Sequence, residues 1–419
     1  MRFLLNEFQL SNSSARKFDA GKGRLSGLIQ DIRLVNEPDS ILKWQAKVTS
    51  LEADNFVLDS LGKKMGRLEL LRARLTDLQI QSSSLKNLYE VVKDNQAFKI
   101  EEITGNYSNN DLILAWENAG YDNRNKLFTL DTFVYRPMLE PEPFMERQTS
   151  QTDYITVSTG KLEMGPFDIR PFLRDTILDI GKLQVHNLYL TSFRDKRLPF
   201  SNEIIRPLPV TLVQSIPFKV NMDSISIRDS HIDYIEYNEK TKQKGTISVN
   251  HFNAAIRHLR NYDMDETDTL EVVATARLLD TLSISLNLRE SYADSLNGFL
   301  MKVDMGPADL TTLNPVLVPL AGAELKSGYL DTLTMVVVGR EHLALGEMQM
   351  FYHNLKIRIV PKGDHQRKTV LSGVIGFLAN SILIKNNNKS RTGTVFFKRI
   401  RNRSAINYLV KISLSGVMS

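Results

Sequence analysis

The 419-residue sequence contains no cysteine. That removes disulfide scaffolds, cysteine-based zinc sites and thiol nucleophiles together. Tryptophan is scarce, with only Trp44 and Trp116, far apart. A polysaccharide-binding or polysaccharide-cleaving surface, which needs clustered aromatics and a carboxylate pair, gets little support. Long apolar runs are missing too. The start, "MRFLLNEFQLSNSS", is neither a signal peptide nor a membrane span. The longest apolar tract, "TVLSGVIGFLANSILI" (369–384), is too short to span and carries Asn380. Acidic residues stop at Asp364. The last 55 residues hold ten Lys and Arg, so a whole-chain charge of +5 leaves the first 364 residues at −5. Both ends break into strand-like patterns, and the chain reads as a piece of a longer protein.

What is present is alternation. "TLSISLNLR" (281–289) places Leu282, Ile284, Leu286 and Leu288 on one face and polar residues on the other. Period two with one apolar and one wet face means antiparallel sheet. "FKVNM" (218–222), "GTISV" (245–249), "EMQMFY" (347–352), "LKIRIV" (355–360) and "YLVKISL" (408–414) read the same way. Helical signals are few. "SSSLKNLYEVVKDN" (82–95) has a Ser cap and Leu85, Leu88 and Val92 on one face. "PADLTTLNPVLVPLAG" (307–322) is helical in spacing, with Pro315 as a break. A third candidate is "TVLSGVIGFLAN" (369–380). The proline-rich "RPMLEPEPFMERQ" (136–148) reads as a loop at a boundary, dividing the chain into 1–140 and 141–419.

Two repeats run through the chain. "MGPFDIRPFLRDTILDIGKLQVHNLYL" (164–190) and "MGPADLTTLNPVLVPLAGAELKSGYL" (305–330) share Met-Gly-Pro-x-Asp-aliphatic, a Leu/Ile-rich segment and a closing strand-like run. A shorter, looser pattern recurs in "FQLSNSSA" (8–15), "LEADNFVL" (51–58), "LQIQSSSL" (78–85), "LQVHNLYL" (183–190), "ISIRDSHI" (225–232) and "AELKSGYL" (323–330). Its middle Asn, Asp, Ser or Gly suits a turn or a bulge. An ordinary meander could produce the same matches. The spacing is irregular, so this is no fixed-period solenoid.

Residues for chemistry are sparse. The seven His form no metal-ligand spacing. "DMDETD" (263–268) lacks the Gly and Glu of a calcium loop. "GKGRLSG" (21–27) has no crossover unit behind it. No cofactor, metal site or enzymatic activity is expected. The basic stretch "KNNNKSRTGTVFFKRIRNRS" (385–404) admits three readings: a solvated hairpin on a sheet edge, an anionic membrane surface, or nucleic acid. The apolar tract beside it favours membrane over nucleic acid. The membrane reading assigns surface contact to Lys385, Lys389, Arg391, Lys398, Arg399, Arg401 and Arg403.

The words "LNP", "SGYLD" and "YHNLK", within "MGPADLTTLNPVLVPLAGAELKSGYLDTLTM", "GEMQMFYHNLKIRIV" and the basic stretch, resemble the C-terminal region of AsmA-like bacterial envelope proteins, above all the large Bacteroidota versions. The resemblance covers roughly residues 150–419. It implies a long twisted antiparallel sheet curled into an apolar groove, in a periplasmic protein held at the inner membrane by an N-terminal helix that this sequence lacks. It also implies a link to phospholipid movement between membranes and to outer-membrane homeostasis.

The residues are compatible with that picture. A curled sheet with strands of about eight residues, roughly 26 Å, could enclose an acyl chain. Leu282, Ile284, Leu286, Leu288, Met335, Val337, Met348 and Met350 are the expected groove lining, with phospholipid or another acyl lipid, a membrane surface and envelope proteins as partners. The same positions would be core in a plain sandwich. The alternative is a scaffold or assembly factor for outer-membrane proteins, its trough filled by its own side chains or a partner strand.

Overall fold

The computed structural model describes residues 2–5, 20–35, 43–61, 66–84, 87–200, 205–360 and 386–419. The fold is mostly β, with long strands and few short helices. Among the described residues the helices are α1 (Leu88–Lys93), α2 (Pro141–Glu146), α3 (Ile169–Asp175), α4 (Pro209–Gln214), α5 (Asn314–Ala321) and α6 (Ala405–Met418), with a 3-10 turn at Leu310–Leu313. The chain divides into two compact units. The first comprises 1–140, 156–188 and 218–225, and the second 141–155, 189–217 and 226–419. In sequence the first break between the units follows Glu140, and segment 156–188 returns to the first unit. Each unit therefore holds one copy of the long repeat.

In the first unit β1 (Arg2–Leu5) pairs with β2 (Ala20–Val35). Antiparallel order continues through β3 (Lys43–Leu61), β4 (Gly66–Gln81), β5 (Lys99–Ser108) and β6 (Leu112–Asp122). β6 pairs with both β7 (Leu127–Leu130) and β8 (Thr132–Pro137). β8 leads to β9 (Asp153–Thr159), and β7 leads to β10 (Leu162–Phe167) and on to β11 (Ile177–His186).

In the second unit β12 (Tyr189–Asp195) lies parallel to β13 (Lys219–Asn238), from Tyr189↔His231 to Asp195↔Tyr237. This pair makes the sheet mixed where alternation alone implied antiparallel throughout. β14 (Gln243–Arg260), β15 (Thr269–Leu278), β16 (Leu282–Ser291) and β17 (Phe299–Met305) follow in antiparallel order. β18 (Ala308–Asp309) and β17 both pair with β19 (Ala323–Gly339), which continues to β20 (Leu343–Ile359) and β21 (Thr392–Lys398).

The strands are longer than the eight residues expected. β2 has 16 residues, β3 19, β13 20, β14 18, and β19 and β20 17 each. The short repeat explains the difference. In three copies the middle residue is a positive-φ residue inside a strand; copies 78–85 and 183–190 fall where β4 and β11 end, and copy 8–15 lies outside the described residues. Asn55 in β3 has φ 48°, Asp229 in β13 46° and Gly328 in β19 148°, with Asn187 at 53° just after β11. Asp31, Asp77, Asn118, His251, His258 and Asn354 share the left-handed conformation. Asn and Asp tolerate it because a short polar side chain bonds locally. At Asn118 the bonds run to residues distant in sequence: its backbone N–H donates to Thr104 Oγ1 at 3.0 Å and its side-chain amide to Asp131 Oδ2 at 2.8 Å. Pairing register slips beside several of these residues, between Lys22 and Arg24, Ile103 and Gly105, Asn250 and Asn253, and Ser327 and Tyr329. Such bulges steepen the local twist while the strand continues.

The long repeat is one module built twice. In the first copy Asp168 caps α3 by accepting from Arg170 N–H, and left-handed Thr176 (φ 57°) ends the helix before β11. In the second, Asp309 caps the 3-10 turn by accepting from Thr311 N–H. α5 follows and ends at left-handed Gly322 (φ 62°) before β19. Asp-aliphatic is thus an N-cap signature. Each module lays its helix on an apolar sheet face. Ile169 and Leu173 pack on the core of Val92, Phe98, Tyr121, Phe167 and Ile180, and Leu310, Leu313 and Leu317 pack on the core of the second unit.

Four local expectations are corrected. "YLVKISL" (408–414) lies in helix α6, not a strand. Seven residues match both periods, and Tyr408 and Ile412, four apart, both turn inward. Residues 141–146 of the proline-rich stretch form α2, because Pro141 opens the helix where no N–H is needed. α1 is capped by Asn87, not Ser, and Pro315 falls in the first turn of α5 rather than breaking a longer helix. The candidate helix 369–380 lies outside the described residues. Among those described, no helix is long and apolar enough to cross a membrane.

Candidate functional site

The eight expected lining residues lie on one face of the second unit. Cross-strand rows run Ile284–Met305–Leu333–Met350, Leu286–Val303–Met335–Met348 and Leu288–Met301–Val337. This face is packed, not open. Met335 and Val337 are 0% exposed; Leu282, Leu288 and Met348 are buried, and Ile284, Leu286 and Met350 pack against the same cluster. The cover is the chain's own helix α6. Tyr408 and Ile412 point into the sheet, and Tyr408 meets Phe299 edge-on at 5.9 Å and donates to Arg340 O at 3.1 Å. Burial pushes the Tyr408 hydroxyl up to about 12. At the far end the helix backbone touches the sheet. A Cβ on Gly416 would stand 2.8 Å from Met348 Cε, and one on Gly393 2.5 Å from Gly416 O.

The basic residues fare differently from one another. Lys389, Arg391 and Lys398 are exposed. Arg399 is buried, its side chain 0% exposed, and pairs with Glu341 Oε2 at 2.6 Å, so it faces no external surface. Arg401 joins the same carboxylate at 3.0 Å. Arg403 is half-buried with its guanidinium 3.3 Å from the Phe200 ring centre. Lys385 lies outside the described residues. Beside Arg399 sits Glu290, 1% exposed, whose carboxyl is pushed up to about 7, mainly by burial.

The open apolar face belongs to the first unit, and the sequence reading missed it. Leu58–Leu68–Tyr107–Leu114 form one row across β3 to β6. Phe56–Leu70–Gly105–Trp116 form the next, then Ala53–Ala73–Ile103–Ala119, then Leu51–Leu75–Ile100–Tyr121. At the last row α1 and α3 close the face: Tyr121 is buried between Phe98 and Phe167, and its hydroxyl donates to Phe167 O at 3.0 Å. Along the other three rows every apolar side chain stays half-exposed. The opposite face of the same strands is charged and self-paired. Arg24 meets Asp54 at 3.2 Å, Arg74 meets Glu52 at 3.3 Å and Glu101 at 3.1 Å, and Lys47 meets Asp77 at 3.1 Å. One side of this sheet is thus satisfied in water and the other is not.

A polar cleft of about 780 Å³ lies in the second unit, lined by Tyr189, His231, Asp233, Ser248 and His251 among others. Tyr189 stacks on His231 at 4.7 Å, and Asp233 accepts from Tyr189 at 2.8 Å and from Ser248 at 2.6 Å. No group of His, Asp or Glu among the described residues is placed to hold a metal ion.

Fold and faces together define a two-faced β-sheet protein with one apolar face filled and one half-open. Comparison with models of known protein families gave no match, and comparison with curated proteins gave none either.

Proposed function

We propose that the chain is a periplasmic lipid-binding β-groove protein that contributes to phospholipid transport between inner and outer membranes and to envelope homeostasis. One observation carries the reading: the three half-exposed apolar rows on β3 to β6, opposite an ion-paired outer face. With the closing row, the face runs over about seven residues of strand, roughly 23 Å. One acyl chain crosses a half-bilayer of about 15 Å, so the face is long enough to shield it. At about 0.8 kcal/mol per methylene, contact along such a face replaces much of what a lipid loses on leaving a bilayer. A uniform apolar surface lets a chain slide without a base, a nucleophile or a metal.

A second reading, a scaffold or assembly factor without lipid transfer, is favoured by the filled face under α6. Organic extraction of the purified chain, with mass spectrometry against a β-rich control protein, separates the two. Near-stoichiometric phospholipid supports the groove. Lipid at control level overturns it and moves the scaffold reading to first place.

A further inference from the structure

The outer face of the second unit carries an apolar patch that neither the filled trough nor the first unit explains. Leu300, Val338, Leu345 and Phe396 are direct cross-strand neighbours on β17, β19, β20 and β21. They point away from α6, since the alternate residues Met301, Val337, Ala344 and Val395 are the buried ones. All four are exposed, Val338 at 61% and Phe396 at 62%; Val336 extends the patch, and Ile400, two residues past β21, is similarly exposed. Four apolar side chains side by side across four strands form a contiguous surface, not scattered exposure.

The rim is mainly basic. Arg289 continues the row beyond Leu300, Lys302 sits beside Val336, Arg340 and Lys398 flank Leu343, and Glu347 is the one acid next to the patch in these rows. Arg289, Lys302 and Arg340 each have an acidic partner, at 3.2, 3.1 and 3.6 Å. Lys398 has no acidic partner among the described residues, and neither do Lys389 and Arg391 at the other end of β21. No acid follows Asp364 in the sequence.

The geometry points to an anionic bilayer surface as the occupant. Val338, Leu345, Phe396 and Ile400 enter the headgroup–acyl boundary, and Lys398, Lys389 and Arg391 contact the headgroups. Two arguments select this over a second copy of the chain. The six exposed apolar side chains alone fall short of the about 800 Å² per partner of a stable dimer. A copy related by two-fold symmetry would also bring like-charged rims together, whereas anionic lipid attracts juxtaposed bases. The choice of a membrane as occupant rests on the lipid-handling function proposed above; the patch itself does not. This contact surface replaces the expectation that the whole basic stretch touches the membrane, because Arg399 points inward.

Flotation of the full chain with vesicles of phosphatidylcholine alone, or of equal parts phosphatidylcholine and phosphatidylglycerol, tests the assignment. The chain should float with the anionic vesicles, less so in high salt, and stay behind with the neutral ones. Leu345→Ser with Phe396→Ser should reduce flotation by about tenfold or more. Lys398→Glu should weaken it and lower its salt dependence. All three changes lie on exposed side chains, so circular dichroism and the thermal midpoint should match the parent chain. Parent-like flotation by the double variant overturns the assignment. So does a parent chain that ignores anionic vesicles, or one that dimerises through this face. Lipid extracted from the double variant should equal that from the parent. A parent chain that floats with anionic vesicles but carries lipid only at control level would count against the groove, not against this surface.

Discussion

The two units carry the same strand–cap–helix–strand module and finish its apolar face differently. In the second unit α5, α6 and Leu208 at the start of α4 contribute to the cover of the face, and Met335, Val337 and Met348 disappear from solvent. In the first unit α1 and α3 cover only the end near Tyr121, and three rows of Leu, Ala, Phe and Ile side chains remain half-exposed. A duplicated module therefore does not dictate what its sheet face does. The added helix does. The face under α6 is a core, and a change there is read as stability. The face on β3 to β6 is a surface, and a change there is read as binding.

The sharpest way to break this comparison is to charge both faces. Met335→Asp places a carboxylate at a fully buried position with no partner, and should cost more than about 4 kcal/mol and unfold the second unit. Ile284→Asp with Leu286→Asp, on β16 two strands away across the same face, should do the same. A chemical-denaturation midpoint measures it. Removing the plug's anchor comes next. Tyr408→Ala leaves a cavity against Phe299 and should destabilise by about 3–5 kcal/mol; a protein that unfolds as before would show that α6 is not part of the core.

A third effect depends on pH. Glu290 keeps its proton in the folded state up to about 7, against an ordinary value of 4.5. Between those values the folded chain holds a proton that the unfolded chain has released, so stability falls as pH rises from about 4.5 to 7. The penalty is fully present above 7. Glu290→Gln should remove that slope and stabilise at pH 8, by about 3 kcal/mol at most, and change little at pH 4. Denaturation midpoints at the two pH values show it. The smallest effect on stability belongs to the open face. Leu68→Asp with Leu70→Asp should cost only about 1–2 kcal/mol, because both side chains are already partly in water. The folded variant should have lost its lipid, as seen by extraction and mass spectrometry.

Much of this was legible in the residues. Alternation located β16 and parts of β13, β14 and β20, and the repeated Met-Gly-Pro-x-Asp marked both capped modules. What escaped had physical causes. In β4 the apolar positions run Leu68, Leu70, then Ala73, Leu75, then Leu78, Ile80. The skips fall at Leu71, where the register slips, and at left-handed Asp77, so a strict period of two loses the thread. The open face was therefore invisible, while fault-free β16 drew the lining assignment to a buried face. α6 was misread because its seven-residue window fits either period. Arg399 looked like one base among seven, since only Glu341, 58 residues earlier, reveals its burial.

The most direct test is photo-crosslinking with a phospholipid bearing a photoreactive acyl chain, followed by peptide mapping of the adducts. The account predicts adducts on β3, β4 and β5, at or beside Phe56, Leu70 and Ile103, and none at Met335 or Met348. Adducts concentrated on β17 to β20 under α6, or none on either face, would contradict it.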